Sequence, residues 1–170
     1  MRVALTGTPG TGKTTVTDLL ETDLDVVHLN EVIREEGLHE GEDRGRGSLV
    51  ADLDAIRERL ADRNDVLVES HLAHHLDVDR VIVLRCHPSA LLTRLLGRGE
   101  PEAKAEENAD SEALDVILAE AVDRHGPECV FEIDTTERTP DAVARDVAAV
   151  LSGARGPSVG IVDFTDYLTP

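Results

Sequence analysis

Five short apolar runs recur along the chain, and longer stretches with apolar residues at helical spacing separate them. The runs are Val3–Leu5, Val26–Val27, Val66–Val68, Val81–Leu84 and Val130–Ile133. Short apolar runs bounded by charges are typical of strands that are buried on both faces of a parallel sheet. Because strands and helices alternate, the pattern predicts an α/β fold with five parallel strands.

The helical stretches carry apolar residues three and four positions apart. Pro88 and Pro140 stand where two of the helices would begin, and proline is well suited to a first helical turn. The pattern predicts helices over Lys13–Leu20, Pro88–Leu96, Lys104–His125 and Pro140–Leu151, with two more between Asn30 and Arg63.

Two charged, glycine-containing segments interrupt this alternation. Residues 37–48 have little to bury, so we predict a mobile loop between two helices. Residues 97–101 read Gly-Arg-Gly-Glu-Pro and precede a helix. We interpret them as the hinge of a short flap.

The C-terminal residues differ in composition from the rest of the chain. Residues 153–158 are rich in glycine, proline and serine and indicate a linker, and the tail beyond them contains two of the chain's three aromatic residues, Phe164 and Tyr167. The tail can dock on its own domain, pair with another subunit or bind a partner, and docking is the favoured alternative. We therefore predict a domain over residues 1–152, with a linker and tail over 153–170.

The octapeptide Gly7–Thr14 fits the pattern G-x-x-x-x-G-K-[ST] without a mismatch, and it directly follows the apolar run Val3–Leu5. Glycines allow the backbone to wrap a polyphosphate closely, so that successive N–H groups point at its oxygens. A helix beginning near Thr14 would direct its positive dipole end at the same phosphates. A chance glycine-rich turn is the alternative, but all four constrained positions match, so the segment predicts a nucleotide-binding loop.

Charge limits the classes of partner. The 170 residues include 35 Asp and Glu against 17 Lys and Arg, a net charge of −18, and 41% are hydrophobic, which suits one α/β domain. Such acidity argues against direct nucleic-acid binding, which needs a basic face. It indicates either a strongly basic partner or adaptation to a salt-rich cytoplasm, and the scarcity of lysine along the whole chain favours adaptation.

Cysteine usage and hydropathy indicate a cytoplasmic protein. Cys86 and Cys129 lie beside apolar runs, and we expect buried free thiols in a reducing compartment. The first strand begins at Arg2 and leaves no room for a signal peptide. No apolar run approaches the length of a membrane span, so no membrane association is expected.

An acidic residue at the end of a neighbouring strand commonly holds magnesium beside such a loop. Glu69 follows the run Val66–Val68 and would emerge at the carboxyl edge of the sheet, where ligands bind in parallel sheets. The alternative is a solvated strand-end carboxylate. His71, two residues on, would lie on the same side of an extended strand.

His71, His74 and His75 have the spacing of one helix face, and a metal site among them is conceivable. No acidic or cysteine residue joins them at a suitable spacing in the sequence. Surface histidines are therefore the favoured interpretation.

Arginines are the remaining candidates, because phosphoryl transfer is catalysed mainly by positioning and by positive charge around the migrating group. Arg94 and Arg98 are four residues apart at the end of a predicted helix and can reach one polyphosphate together. The alternative is a solvated helix end. Arg34 is a third candidate, and Arg44 and Arg46 are weaker ones.

Taken in order, these segments resemble a nucleoside monophosphate kinase, and more narrowly the adenylate kinase isoenzyme 6 family, which includes the coilin-interacting nuclear ATPase and archaeal relatives. The resemblance covers residues 1 to about 152. It rests on Gly7–Thr14, on Arg-Glu-Glu at 34–36, on Glu-Ser-His at 69–71 and on Arg-Gly at 98–99.

The resemblance implies a P-loop NTPase three-layer sandwich with a monophosphate-binding lobe over about residues 28–51 and a lid over about 98–108. It implies phosphoryl transfer from Mg²⁺·ATP to AMP, ATP hydrolysis, and a link to maturation of the small ribosomal subunit through a basic ribosomal protein. Glu69 and His71 take the place of the family's Asp-x-His.

The resemblance also assigns roles by position. The implied catalytic residues are Lys13, Arg94, Arg98, Glu69 and His71. The implied ATP-binding residues are Gly10, Gly12, Lys13, Thr14, Thr15 and Arg98. The implied AMP-binding residues are Asn30, Arg34 and His71. Thr14 is the implied Mg²⁺ ligand, and Glu69 is implied to hold Mg²⁺ through water.

Three functions remain open from the sequence. The first is an AMP kinase, and the second is an ATPase switch that acts on a ribosomal protein, for which AMP phosphorylation is incidental. The third is a kinase for another small molecule, which would not need Arg34 to contact a phosphate.

Overall fold

Strands and helices alternate along the chain, as the hydrophobic pattern predicts. The computed structural model describes residues 1–43 and 48–169. Its strands are β1 (Arg2–Thr6), β2 (Asp25–His28), β3 (His39–Asp43), β4 (Ser48–Ala51), β5 (Val66–Glu69), β6 (Arg80–Arg85) and β7 (Val130–Asp134). Its α-helices are α1 (Lys13–Leu19), α2 (Leu29–Glu36), α3 (Leu53–Leu60), α4 (Pro88–Gly97), α5 (Glu102–Ala113), α6 (Val116–His125) and α7 (Pro140–Leu151).

Five strands form one parallel sheet in the order β2-β5-β1-β6-β7, which confirms the predicted α/β class. Alternate residues of β1 enter two separate cores: Ala4 packs with residues of α2, α3 and α6, whereas Val3 and Leu5 pack with residues of α1 and α7. The sheet is therefore buried between two helical layers. Strand β1 is central, so the loop that follows it opens at the middle of the sheet's carboxyl edge, the usual ligand-binding edge.

The prediction of a loop over residues 37–48 is wrong for the part that the structure describes. Strands β3 and β4 pair in an antiparallel hairpin, with a register irregularity between His39 and Gly41. Leu49 and Ala51 pack against the core beside α2 and α3. The charged β3 gives no apolar alternation, so the sequence pattern does not reveal a hairpin that backbone pairing and a few contacts from β4 stabilise.

The single helix predicted over residues 104–125 is two helices, α5 and α6. The break falls at Leu114 and Asp115, and Asp115 adopts a left-handed backbone conformation with φ of 55°. Its carboxylate pairs with the guanidinium of Arg85. The apolar spacing continues across the break, so the sequence pattern predicts one helix. The ion pair between Asp115 and Arg85, which are distant in sequence, forms at the turn and is not visible in that pattern.

The C-terminal tail docks on its own domain. Ser158 lies beside the edge strand β7, where its N–H donates to Val130 O at 3.1 Å and its carbonyl accepts from Glu132 N at 2.8 Å. Phe164 is buried, with its ring centroid 5.3 Å from the guanidinium carbon of Arg85. The favoured alternative for the tail is therefore what the structure shows.

The two cysteines differ in how far they are buried. Cys86 is a buried free thiol as expected, whereas Cys129 is a free thiol that is only partly buried. None of the helices within residues 1–43 and 48–169 combines the length and the apolar character that a membrane span requires.

Candidate active site

The segment Gly7–Thr14 connects β1 to α1 and leaves no room for side chains at two of its glycines. Gly7 has φ of 140°, and a Cβ there would lie 2.4 Å from Leu84 O. Gly10 has φ of 94°, and its Cβ would lie 2.8 Å from Leu91 Cδ1. Both glycines are therefore required by backbone conformation and by close packing, as expected of a loop that wraps a ligand with its backbone.

Lys13 is buried within this loop. Its Nζ donates to Gly7 O at 2.8 Å and to Thr8 O at 3.1 Å. Burial lowers the pKa of Lys13 from 10.5 to about 8, and the carboxylates of Glu69 and Glu112 offset part of that effect. The ammonium therefore remains mostly charged at pH 7 and is available to an anionic phosphate.

Thr14 and Glu69 offer oxygen atoms to a cation beside the loop. Thr14 Oγ1 donates to Glu69 Oε2 at 3.4 Å, and His28 Nδ1 lies 3.0 Å from the same carboxylate oxygen. Mg²⁺ prefers a few oxygen ligands from protein, with water and phosphate oxygens completing its shell. The chemistry of these residues fits Mg²⁺, and Mg²⁺ binding by Thr14 and Glu69 stays a prediction. His28, which orients the carboxylate, is an addition that the sequence did not reveal.

A cleft of about 250 Å³, the phosphate-loop cleft, lies over this loop at the carboxyl edge of the sheet. It brings together most of the predicted nucleotide-binding and catalytic residues. Its lining includes Gly10, Gly12, Lys13, Thr14, Thr15, Asn30, Glu69, His71 and Arg98.

His71 lies beyond the end of β5 and lines the phosphate-loop cleft together with Glu69, so the predicted proximity of the two side chains holds although the strand ends at Glu69. Burial, followed by the positive charge of Lys13, lowers the pKa of His71 from 6.5 to about 4. The ring is therefore neutral at pH 7 and offers the cleft a hydrogen-bond donor and an acceptor rather than a positive charge.

The lowered pKa of His71 predicts that the stability of the fold depends on pH. Unfolded His71 takes up a proton near pH 6.5 and the folded ring only near pH 4, so the free energy of unfolding should fall as pH is lowered between these values. Burial also lowers the pKa values of His74 and His75, so His71→Gln should reduce this slope without removing it. Denaturant titrations between pH 4 and 7 measure the slope. An identical slope in wild type and variant would contradict the assignment.

Arg94 and Arg98 lie at the end of α4 and border a neighbouring cleft of about 230 Å³, the Arg94 cleft. Arg94 donates to Thr135 O at 3.2 Å, and Arg98 lines both this cleft and the phosphate-loop cleft. The two arginines therefore converge on one region, as their spacing predicts. Thr135 and Arg138, which follow β7, complete its polar lining.

Arg34 lies on α2 and lines a third cleft of about 310 Å³, the Arg34 cleft. Asn30 and His71 line this cleft as well as the phosphate-loop cleft, so the two are neighbours that share a wall. Asn30 is held by Ser70, whose Oγ donates to Asn30 Oδ1 at 2.9 Å. The weaker candidates Arg44 and Arg46 lie outside the described residues.

His71, His74 and His75 do not share a helix face. His74 and His75 lie on a short 3-10 turn, Ala73–His75, and His71 precedes this turn and lines the clefts. The sequence places no acidic residue at a suitable spacing from these histidines, but the fold brings one from α6, because His74 Nε2 lies 2.9 Å from Glu120 Oε2.

A buried ionic network beneath the phosphate loop is absent from the sequence prediction. Arg85 is 1% exposed and pairs with Glu112, Asp115 and Glu132. Glu112 also accepts a hydrogen bond from Thr8 Oγ1 in the phosphate loop. The network therefore connects β6, β7 and α5 to the loop, and the only sequence signal for it is a charged residue, Glu132, within an apolar strand.

The fold and the loop define a P-loop kinase architecture. A solved shikimate kinase from Bacteroides thetaiotaomicron superposes with a TM-score of 0.57 at 18% identity, covering 90% of this chain and 98% of that one. At this identity the similarity shows the fold alone.

Comparison of sequences shows the family. A family model described as an AAA domain matches residues 3–115. A Natronomonas pharaonis protein named "Putative adenylate kinase" is 65% identical over 99% of this chain and 100% of its own length. A protein of the same name from Methanothermobacter thermautotrophicus is 45% identical over 98% of both chains. The chain therefore belongs to this AAA-domain family and is a homologue of the proteins named "Putative adenylate kinase".

Proposed function

We propose that the chain transfers a phosphoryl group from Mg²⁺·ATP to AMP. The observation that carries the proposal is the pair of adjoining clefts at the carboxyl edge of the sheet. One is built on the phosphate loop, the other contains Arg34, and Asn30 and His71 line both. Two phosphate-bearing substrates in these clefts would face each other, as direct transfer requires.

The residues of the phosphate-loop cleft suit the donor. The backbone of the loop and Thr15 would hold the ATP phosphates, and Lys13 and Arg98 would neutralise charge on the migrating group. Arg94 would assist from the neighbouring cleft. Thr14 and Glu69 would hold Mg²⁺, which supplies charge neutralisation when bound.

The residues of the Arg34 cleft suit the acceptor. Arg34 would bind the AMP phosphate, and Asn30 and the neutral ring of His71 would orient it for in-line attack. An AMP phosphate oxygen is already anionic at pH 7, so the reaction needs no strong general base. Closure of the lobe over about residues 28–51 and of the lid over about 98–108 would exclude water.

The test is steady-state production of ADP and inorganic phosphate from Mg²⁺·ATP in high salt, with and without AMP. The proposal expects ADP to rise strictly with AMP and little free phosphate to appear. Replacing AMP by other nucleoside monophosphates or by shikimate tests the acceptor class. Phosphate release that is indifferent to AMP would contradict the proposal.

Arg34→Ala should raise the KM for AMP about tenfold or more and change the KM for ATP less than about twofold, because a charge-assisted bond to the acceptor is lost. Arg59→Ala is a matched control, since Arg59 pairs with Glu36 on the surface at 2.7 Å. Initial-rate kinetics with each substrate varied measure both constants. Equal effects on the two substrates would remove Arg34 from the acceptor site.

We propose as a second function that the chain is an ATPase switch of the isoenzyme 6 type. Its nucleotide state would control binding to a basic small-subunit ribosomal protein. The net charge of −18 favours such a partner, although adaptation to a salt-rich cytoplasm explains the same charge. Here water would replace AMP, and His71 would orient it. Phosphate release stimulated by the partner and independent of AMP supports this function.

A further inference from the structure

A second group of ligand-type side chains lies outside the three clefts, where the 3-10 turn Ala73–His75 meets α6. His74 Nε2 lies 2.9 Å and His75 Nε2 4.0 Å from the same Oε2 atom of Glu120. One nitrogen of each ring and one carboxylate oxygen of Glu120 all lie within 4.8 Å of one another. Two imidazoles from one turn and a carboxylate from a helix thus converge on one point.

The ring of His74 is held in place by its other nitrogen. His74 is 1% exposed, and its Nδ1 lies 3.1 Å from Thr6 Oγ1 at the end of β1. A threonine hydroxyl both donates and accepts, so Nδ1 stays satisfied whether or not it carries the ring's proton. His74 can therefore release the proton from Nε2 without leaving a buried polar atom unpaired, which is the requirement for a metal ligand with an oriented outer partner.

We propose that His74, His75 and Glu120 bind a transition-metal ion of the Zn²⁺ class. Two imidazoles and one carboxylate favour Zn²⁺ over Mg²⁺, which prefers oxygen ligands alone. Bonds of about 2.0–2.1 Å in a tetrahedral shell place ligand atoms roughly 3.3 Å apart. The observed separations from Glu120, 2.9 and 4.0 Å, bracket this value. Adjustment of the His75 and Glu120 side chains would complete the set, with water in the fourth position.

The arginines near the site formed by His74, His75 and Glu120 pair with other carboxylates, so the carboxylate of Glu120 is available to a metal ion. Arg57 donates to the carbonyl of His75 at 3.2 Å and pairs with Asp54, and Arg124 pairs with Asp77 at 2.9 Å. Each neighbouring arginine thus has its own carboxylate. The Glu120 side chain is 49% exposed, which gives an ion a route from solvent.

The ion would connect α6 to the turn that follows β5, and through Thr6 to the end of β1. These elements are far apart in sequence, since His74 and Glu120 are separated by 46 positions. Because the ligands come together only in the folded chain, binding would stabilise the fold and raise the unfolding temperature.

The test uses the full chain stripped with a chelator, Zn²⁺ or Mg²⁺ as titrant, and both calorimetric binding and thermal unfolding as readouts. Wild type should bind one Zn²⁺ and unfold at a higher temperature with Zn²⁺ than with Mg²⁺. Glu120→Gln and His75→Gln should each weaken Zn²⁺ binding at least about tenfold. Asp123→Asn, which removes a charge from an exposed position of the same helix, should bind as wild type does.

Two outcomes would overturn the proposal. One is the absence of any Zn²⁺-dependent rise in the unfolding temperature of wild type. The other is equal Zn²⁺ affinity in wild type and Glu120→Gln, which would place the ion elsewhere, for example at Glu69 and His28. Because Glu120 lies outside the three clefts, Glu120→Gln should retain wild-type turnover without Zn²⁺, which confirms that the variant is folded.

Discussion

Replacing Lys13 by alanine should lower turnover by roughly a hundred- to a thousandfold or more, because the loop loses the charged donor nearest the migrating phosphoryl group. The ammonium is already held inside the loop, 2.8 Å from Gly7 O, so little reorganisation is needed when phosphate replaces the carbonyl partners. Coupled measurement of ADP formation gives the rate.

The fold should survive this change. Burying the Lys13 ammonium lowers its pKa to about 8, so burial of the charge opposes folding at pH 7 and its removal relieves that cost. Thermal unfolding should therefore give a midpoint near that of wild type. Arg63→Ala is the control for loss of a positive charge, since Arg63 pairs with Asp25 on the surface. Wild-type turnover in Lys13→Ala would reject the phosphate-loop assignment.

Replacing Arg85 by leucine should lower the free energy of unfolding by about 3–5 kcal/mol, the usual cost of removing one partner from a buried ionic network. Glu112 and Glu132 are 3% and 0% exposed, and they would be left without their counter-charge. Denaturant titration in high salt measures the loss.

The matched surface change is Arg59→Ala, which breaks an exposed pair with Glu36 and should cost at most about 1 kcal/mol. A loss for Arg85→Leu no larger than that for Arg59→Ala would show that the buried carboxylates find other partners. Arg85→Leu combined with Glu132→Leu should recover part of the stability, because one orphaned charge is then removed.

The parts of the site that the sequence predicts are local ones. The loop Gly7–Thr14 is specified by consecutive residues between a strand and a helix, and Glu69 is found because it ends an apolar run. The clefts follow from the parallel sheet, since the carboxyl ends of β1, β5 and β2 meet at one edge.

The parts that the sequence does not predict depend on distant contacts. Glu112 contacts Thr8 across 104 positions, and in the sequence it is one acidic residue among many on α5. Glu120 joins His74 in the same way. The sequence pattern does not show the hairpin of β3 and β4, because backbone pairing supports it without an apolar period. It does not show the break at Asp115, because the apolar spacing continues through it.

Phe164 over Arg85 makes the C-terminal tail a cover for the buried ionic network. Ile161 N donates to Glu132 Oε2 at 2.8 Å, so the backbone of the last residues completes the hydrogen bonding of a carboxylate that itself neutralises Arg85. A fragment ending at residue 152 keeps β1, the phosphate loop and α1 but lacks these two contacts, so it leaves Arg85 and Glu132 without the cover that the tail gives them. The tail is therefore a structural part of the domain that carries the phosphate loop.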